Sequence, residues 1–403
     1  MTRPFRRRIL YIPGFDPIPP RRYRELYKRE GAAQAQVSGY GLEFGPRQDR
    51  TGFGWGVRGD FNGRNAEAEF EVLIWADIVQ NSMGHSIAAT YGQLLHTART
   101  YIGSGALWRL MRLRRGPVIA ALYPVVVLIA QLLLALLVGG LTGWALGRLT
   151  GLGWWLGLPV MLAVCWAGLH LWRRLDGSIF AYYLMHDYAF TAQDGGAYPP
   201  ALEARLAEFT DRIAEVMAGD WDEVLIVGHS SGAYLGVSVL ADLIRSGRIP
   251  AAGTPGRPRL SFLSLGHVVP MASFLPRANR LRADLHDLSA SPEVDWIDVT
   301  APGDACCFGL CDPVAVTGVE PPDRRQPLIL SAAFTLTLSR QKQRSLRWRW
   351  FRLHFQYLCA FDLPGDYDYF TITAGPLMLA ERYARRQHSP GRIARPVNRW
   401  TAT

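Results

Sequence analysis

A chain of 403 residues that is 49% hydrophobic has material for a sizeable core in one large or two ordinary domains, which excludes a disordered polypeptide. A formal net charge of +10 suits a protein lying against an anionic leaflet, and with no nucleic-acid motif beside it a nucleic-acid partner is not expected. Cys165, Cys306, Cys307, Cys311 and Cys359 form no evenly spaced framework, so free thiols are predicted.

In chain order, the basic N-terminus has too short an apolar run for a signal peptide and breaks at Pro13-Gly14, so nothing there is expected to direct secretion. Arg8–Ile12 reads as a buried strand feeding a loop, and 23–33 as a helix. Stretches 36–44, 53–61 and 68–78 read as strands, the last by alternation of Phe70, Val72, Ile74 and Ala76 with Glu69, Glu71 and Asp77. They are expected to form antiparallel pairing at a sheet edge. Residues 87–113 read as a helical approach to a membrane.

Pro117 to Gly147 carries no charged side chain, and Leu149 to Trp172 is a second apolar run; each is long enough for a hydrocarbon core needing ~20 residues. Gly139, Gly140, Gly143 and Gly147, with Arg148, predict the turn between two spans. Arg109, Arg112, Arg114 and Arg115 before the pair, and Arg173 and Arg174 after it, predict that both ends stay cytoplasmic. The expected location is therefore the inner, cytoplasmic membrane, with two spans and the bilayer as partner.

Beyond the hairpin, Leu202, Leu206, Phe209, Ile213 and Val216 mark an amphipathic helix. Strands at 224–227, 260–265 and 294–299 alternate with helices at 233–244 and 273–288, which predicts an α/β fold whose mostly parallel sheet is covered on both faces. Gly228-His-Ser-Ser-Gly232 follows the first of these strands and opens a helix. This G-x-S-x-G pattern in a strand–turn–helix setting aims Ser230 out of the sheet as a nucleophile; the alternative is a glycine turn whose serine caps the helix.

On this stretch the chain resembles the α/β-hydrolase superfamily, its lipase-like members in particular. The resemblance implies a triad in the order serine, acid, histidine, and an acyl-enzyme on Ser230. Asp304, after Pro302-Gly303 at a strand end, is the favoured acid and Asp312 the next; Asp298 lies inside the strand. His354 is the histidine between the acid and the tail, where His388 sits. The oxyanion donors implied are the N–H of Ser231 and that of Phe15 in Tyr11-Ile-Pro-Gly-Phe-Asp16, where proline stands in place of the family's histidine. A plain structural turn is the other reading of that segment. The division expected is 1–112 and 176–403 as the two parts of the hydrolase domain, with 113–175 as the hairpin.

The clustered cysteines lack the pairing of a tetrahedral site, so neither metal nor organic cofactor is expected. Arg340–Arg352 interleaves cations with tryptophans, as a headgroup-level segment or a solvated basic helix face would. The expected activity is hydrolysis of an ester or thioester substrate, lipid among the candidates. The alternatives are acyl transfer by the same triad, or a membrane-bound interaction module without catalysis. Oligomeric state is not legible.

Overall fold

The computed structural model describes residues 3–403 apart from Arg50, His85 and Ala252. Its strands are β1 (Phe5–Ile12), β2 (Gly41–Gly45), β3 (Phe53–Phe61), β4 (Arg64–Val72), β5 (Glu223–His229), β6 (Arg259–Leu265), β7 (Val294–Thr300) and β8 (Leu328–Ser331). They form one 8-stranded sheet in the order β2-β3-β4-β1-β5-β6-β7-β8. From β4 to β8 every pairing is parallel, while β2–β3 and β3–β4 are antiparallel, so the expected mostly parallel sheet with an antiparallel edge is present.

The central strands are apolar over Ile9–Ile12 and Val224–Val227 because both faces are covered there. Ile9, Tyr11, Leu225 and Val227 enter one core, with Tyr23 and Tyr27 of the helix Arg21–Ser38. Leu10, Ile12, Val224 and Ile226 enter the other, against the helices Pro200–Met217 and Ser231–Arg245. Alternate side chains thus feed opposite cores, and the register Tyr11↔Val227, Gly228↔Ser264 and Leu265↔Val299 brings four strand ends to one edge. The loops that follow β1, β5, β6 and β7 therefore gather there.

Several boundaries differ from the sequence expectation. Residues 36–38 belong to the helix Arg21–Ser38, which ends at Gly39 with φ 76°, so β2 is shorter than expected. The strand expected to run to residue 78 ends at Val72, and Ala76–Ser82 is helical. The approach at 87–113 is two helices, Ile87–Gly103 and Ala106–Leu113, broken at Gly105 with φ 74°. The helix expected at 273–288 is Val269–Ser273 followed by Asn279–Ala290, since Pro276 interrupts it.

The two apolar runs form the helices Arg115–Thr150 and Trp154–Arg174, both long and apolar enough to cross a membrane. The glycines expected to form the turn lie inside the first helix, and the chain turns instead at Gly151–Gly153. Their role is close approach. A Cβ at Gly139 would fall 2.7 Å from the Met161 carbonyl oxygen, and Cβ atoms at Gly143 and Gly147 would overlap the carbonyls of Gly157 and Gly153. Glycine at every fourth position is a stripe on one helix face, and in an apolar medium such stripes let two backbones pack together.

Candidate active site

Ser230 stands between β5 and the helix Ser231–Arg245, at φ 58° and ψ −120°, a backbone conformation that L side chains rarely adopt. Its surroundings hold it there. The Ser230 N–H donates to the Leu265 carbonyl at 2.9 Å. Glycine is required on both sides: a Cβ at Gly228 would fall 2.5 Å from the Gly232 carbonyl oxygen, and one at Gly232 would overlap the carbonyl of Ile12. The end of β1 is thereby pressed against the start of this helix. Gly14 follows directly, where a Cβ would lie 3.0 Å from Ser230 Cβ.

His354 closes the short helix Trp350–His354 and is buried. Its Nδ1 is 2.7 Å from Asp304 Oδ2, and its ring borders the cavity that Ser230 also lines, with Nε2 as the nitrogen left free of the acid. The fully buried Asp304 carboxylate also accepts from the Cys306 N–H at 2.8 Å and the Tyr357 hydroxyl at 3.1 Å. Burial alone would raise the Asp304 carboxyl; the facing His354, with the hydrogen bonds from Cys306 and Cys307, holds it below the ordinary carboxylate range. Tyr357 is itself fixed by the Ala301 N–H, which donates to its oxygen at 2.9 Å.

Asp312, the alternative acid, serves elsewhere. Its Oδ1 caps the helix Pro313–Thr317, accepting from Val314 and Ala315, while its Oδ2 pairs with Arg324 and with Arg392 at 2.6 Å. Asp298 faces His267 across 3.7 Å inside the sheet, away from Ser230, with Ser264 donating to it. His388 is no free tail, since its Nδ1 accepts from the Ile329 N–H on β8 at 3.1 Å.

The two amides expected to donate to an oxyanion, those of Phe15 and Ser231, are unclaimed by other groups. Among the described residues neither the Phe15 nor the Ser231 N–H finds an acceptor, although both residues are buried. The Phe15 segment is held on every side: Trp75 Nε1 donates to the Pro13 carbonyl at 3.0 Å, the Tyr183 hydroxyl to that of Phe15, and Asp16 accepts the Ile18 N–H and pairs with Arg22. Buried N–H groups without partners are rare, and these two lie beside a strained serine.

Three residues at the site have no role in the sequence reading. His229 precedes Ser230, and its Nε2 lies 3.0 Å from the His354 carbonyl oxygen. Burial and the neighbouring His354 push the His229 imidazole down to about 3, so it is neutral and acts as a donor that ties the histidine loop to the elbow. Tyr183 and Asp187 come from the helix Ala181–Ala192, directly after the hairpin. Asp187 lines the Ser230 cavity, where desolvation pushes its carboxyl up to about 7, partly opposed by His354. An aspartate within an apolar-aromatic helix was the available signal, but only the fold aims it at Ser230.

Asp304, Cys306 and His354 also bring an oxygen, a sulfur and a nitrogen within 4.8 Å of one another. The Nδ1–Asp304 hydrogen bond already uses two of these groups. Burial, with Asp304 and Asp187 nearby, pushes the Cys306 thiol well above its ordinary value, so it offers no ready thiolate. This chemistry fits a hydrogen-bonded acid–imidazole pair better than a ligand set.

Compared with known proteins, the chain matches no family model, no curated protein and no solved structure.

Proposed function

We propose that this chain is a membrane-anchored serine hydrolase of α/β-hydrolase type, cleaving an ester or thioester through an acyl-enzyme on Ser230. The observation that carries the reading is the strained Ser230 at a strand–helix turn, sharing a cavity with a histidine whose other nitrogen is bonded to a buried carboxylate. His354 takes the Ser230 proton as Oγ attacks the acyl carbonyl, then returns it to the leaving alcohol or thiol; water repeats the cycle in reverse. Asp304 keeps the proton on Nδ1 and stabilises the imidazolium. The Phe15 and Ser231 amides receive the developing oxyanion, each donor contributing ~3 kcal/mol in comparable sites. The arginines flanking the hairpin favour a cytoplasmic position for the site.

The test is labelling of the detergent-purified chain by a small fluorophosphonate. Wild type is expected to label at Ser230, Ser230→Ala to lose all labelling, and His354→Ala to label at least about 10³-fold more slowly. A folded wild type that does not label sinks the hydrolase reading in favour of an interaction module. Turnover in the presence of alcohol or amine acceptors separates hydrolysis from acyl transfer.

A further inference from the structure

The cavity at Ser230 has a volume of only about 60 Å³, enough for a reacting ester group and little more. Ligand-binding cavities usually span ~300–1,000 Å³, so the rest of a substrate must lie elsewhere. A second cavity of about 440 Å³ adjoins it and shares the walls Leu184, Tyr188, Cys306 and Phe351. The remaining wall is chiefly apolar and aromatic: Ala120, Tyr123 and Phe180, with Trp350 and Ile179. It is braced by the Tyr123 hydroxyl, which donates to the Ile179 carbonyl at 2.8 Å, and by ring contacts of Tyr123 with Trp350 and of Phe180 with Phe351. Two cations, Arg349 and Arg352, line it as well.

The position of this cavity relative to the bilayer follows from the hairpin register. Gly143 packs on Gly157 and, nearer the arginines, Gly168 meets Ala135, so Arg173 and Arg174 stand level with residues near 129–130. Each helix then offers about 21 residues, or ~31 Å, to a hydrocarbon core ~30 Å thick. Ala120 and Tyr123 lie ~10–15 Å along the same helix from that boundary, just beneath a headgroup layer ~5–8 Å deep. The strap Arg340–Arg352 runs at this level with six cations and no acid, and among the described residues none of the six is in an ion pair. Trp348 and Leu336 nearby are 76% and 75% exposed, as residues meeting lipid would be.

We infer that the substrate is an anionic membrane lipid: its acyl chain fills the larger cavity, its ester carbonyl reaches Ser230, and its anionic headgroup is held by Arg349 and Arg352. This rests on the hydrolase reading of Ser230. The bond formed is Ser230 Oγ to the acyl carbon, and the bond broken is the ester C–O. The headgroup-bearing alcohol leaves with the proton from His354, and water then releases the fatty acid.

The experiment uses the full chain as Ser230→Ala in nanodiscs, with phosphatidylglycerol or phosphatidylcholine carrying a diazirine on the acyl chain. Crosslinks are expected on Ala120, Tyr123 and Phe180, stronger for phosphatidylglycerol, with that preference falling about tenfold or more in Arg349→Gln/Arg352→Gln. In the active chain, Ala120→Trp or the more exposed Ser178→Trp should lower the ratio of long-chain to short-chain ester cleavage at least about tenfold. Crosslinks confined to the outer hairpin face, or equal use of the two lipids, overturn the proposal. Because crosslinking needs no nucleophile, its failure is distinct from a failure of fluorophosphonate labelling.

Discussion

The two ends of β1 treat buried polar groups in opposite ways. Near its start, Arg7 pairs with Glu223 at 2.5 Å and donates to the Gly375 carbonyl at 2.7 Å, while Glu223 also accepts from Ser261 and the Leu379 N–H. Arg8 beside it meets Glu69 at 2.6 Å, Asp49 at 2.8 Å and Glu71, and Arg47 and Arg212 complete the cluster. At its far end, the Phe15 and Ser231 amides find no acceptor among the described residues, Ser230 is strained, and the Asp187 carboxyl is displaced toward neutrality. Burial is common to both ends. The difference lies in whether charge is answered at once or left open for a ligand, and that difference separates structural from chemical use of polar groups.

The largest effect that would sharpen this contrast comes from Asp304→Asn. Keeping the shape but losing the charge that fixes the His354 tautomer should slow Ser230 phosphonylation ~10⁴-fold with little change in melting temperature. A loss below tenfold would remove Asp304 from the mechanism.

Arg8→Met should do the reverse, leaving Glu69 without its cation while Glu71 keeps Arg47 and Arg212, at a cost of about 3 kcal/mol in denaturant unfolding. The folded fraction should still label at Ser230. A variant as stable as wild type would show that the carboxylates are not held by Arg8.

The smallest effect concerns Asp187. Its raised value means that the folded state binds the proton more tightly than the unfolded one. The stabilisation is therefore complete below about 3.8 and lost as pH rises through about 7. Wild-type thermal midpoints should fall between about pH 4 and pH 7, and Asp187→Asn should lack that slope and also the corresponding inflection in the labelling rate. Persistence of both in the variant would assign them to another group.

Much of the fold was legible because its signals are local. Continuous apolar runs such as 224–227 and 260–265 announce strands buried on both faces, and the amphipathic spacing from Leu202 to Val216 announces a surface helix. β8, at Leu328–Ser331, escaped notice because four residues carry no usable period. The hairpin turn was misplaced for a different reason. Glycine signals a turn in an isolated chain, yet inside two packed helices it provides close approach, and the sequence does not say which.

What the sequence by itself determined was the strand–turn–helix around Ser230 and the two apolar spans, since both depend on residue types within a few positions of one another. The family resemblance added Asp304 or Asp312 and His354 as the proposed acid and base by chain order. Only the tertiary structure showed which aspartate meets His354, pairing Asp312 with Arg324 and Arg392 and Asp304 with His354. Only it brought the helix after the hairpin, with Tyr183 and Asp187, to the serine. The physical reason is that local backbone preferences are encoded nearby in the chain, whereas the partner of a buried charge is set by packing between distant segments.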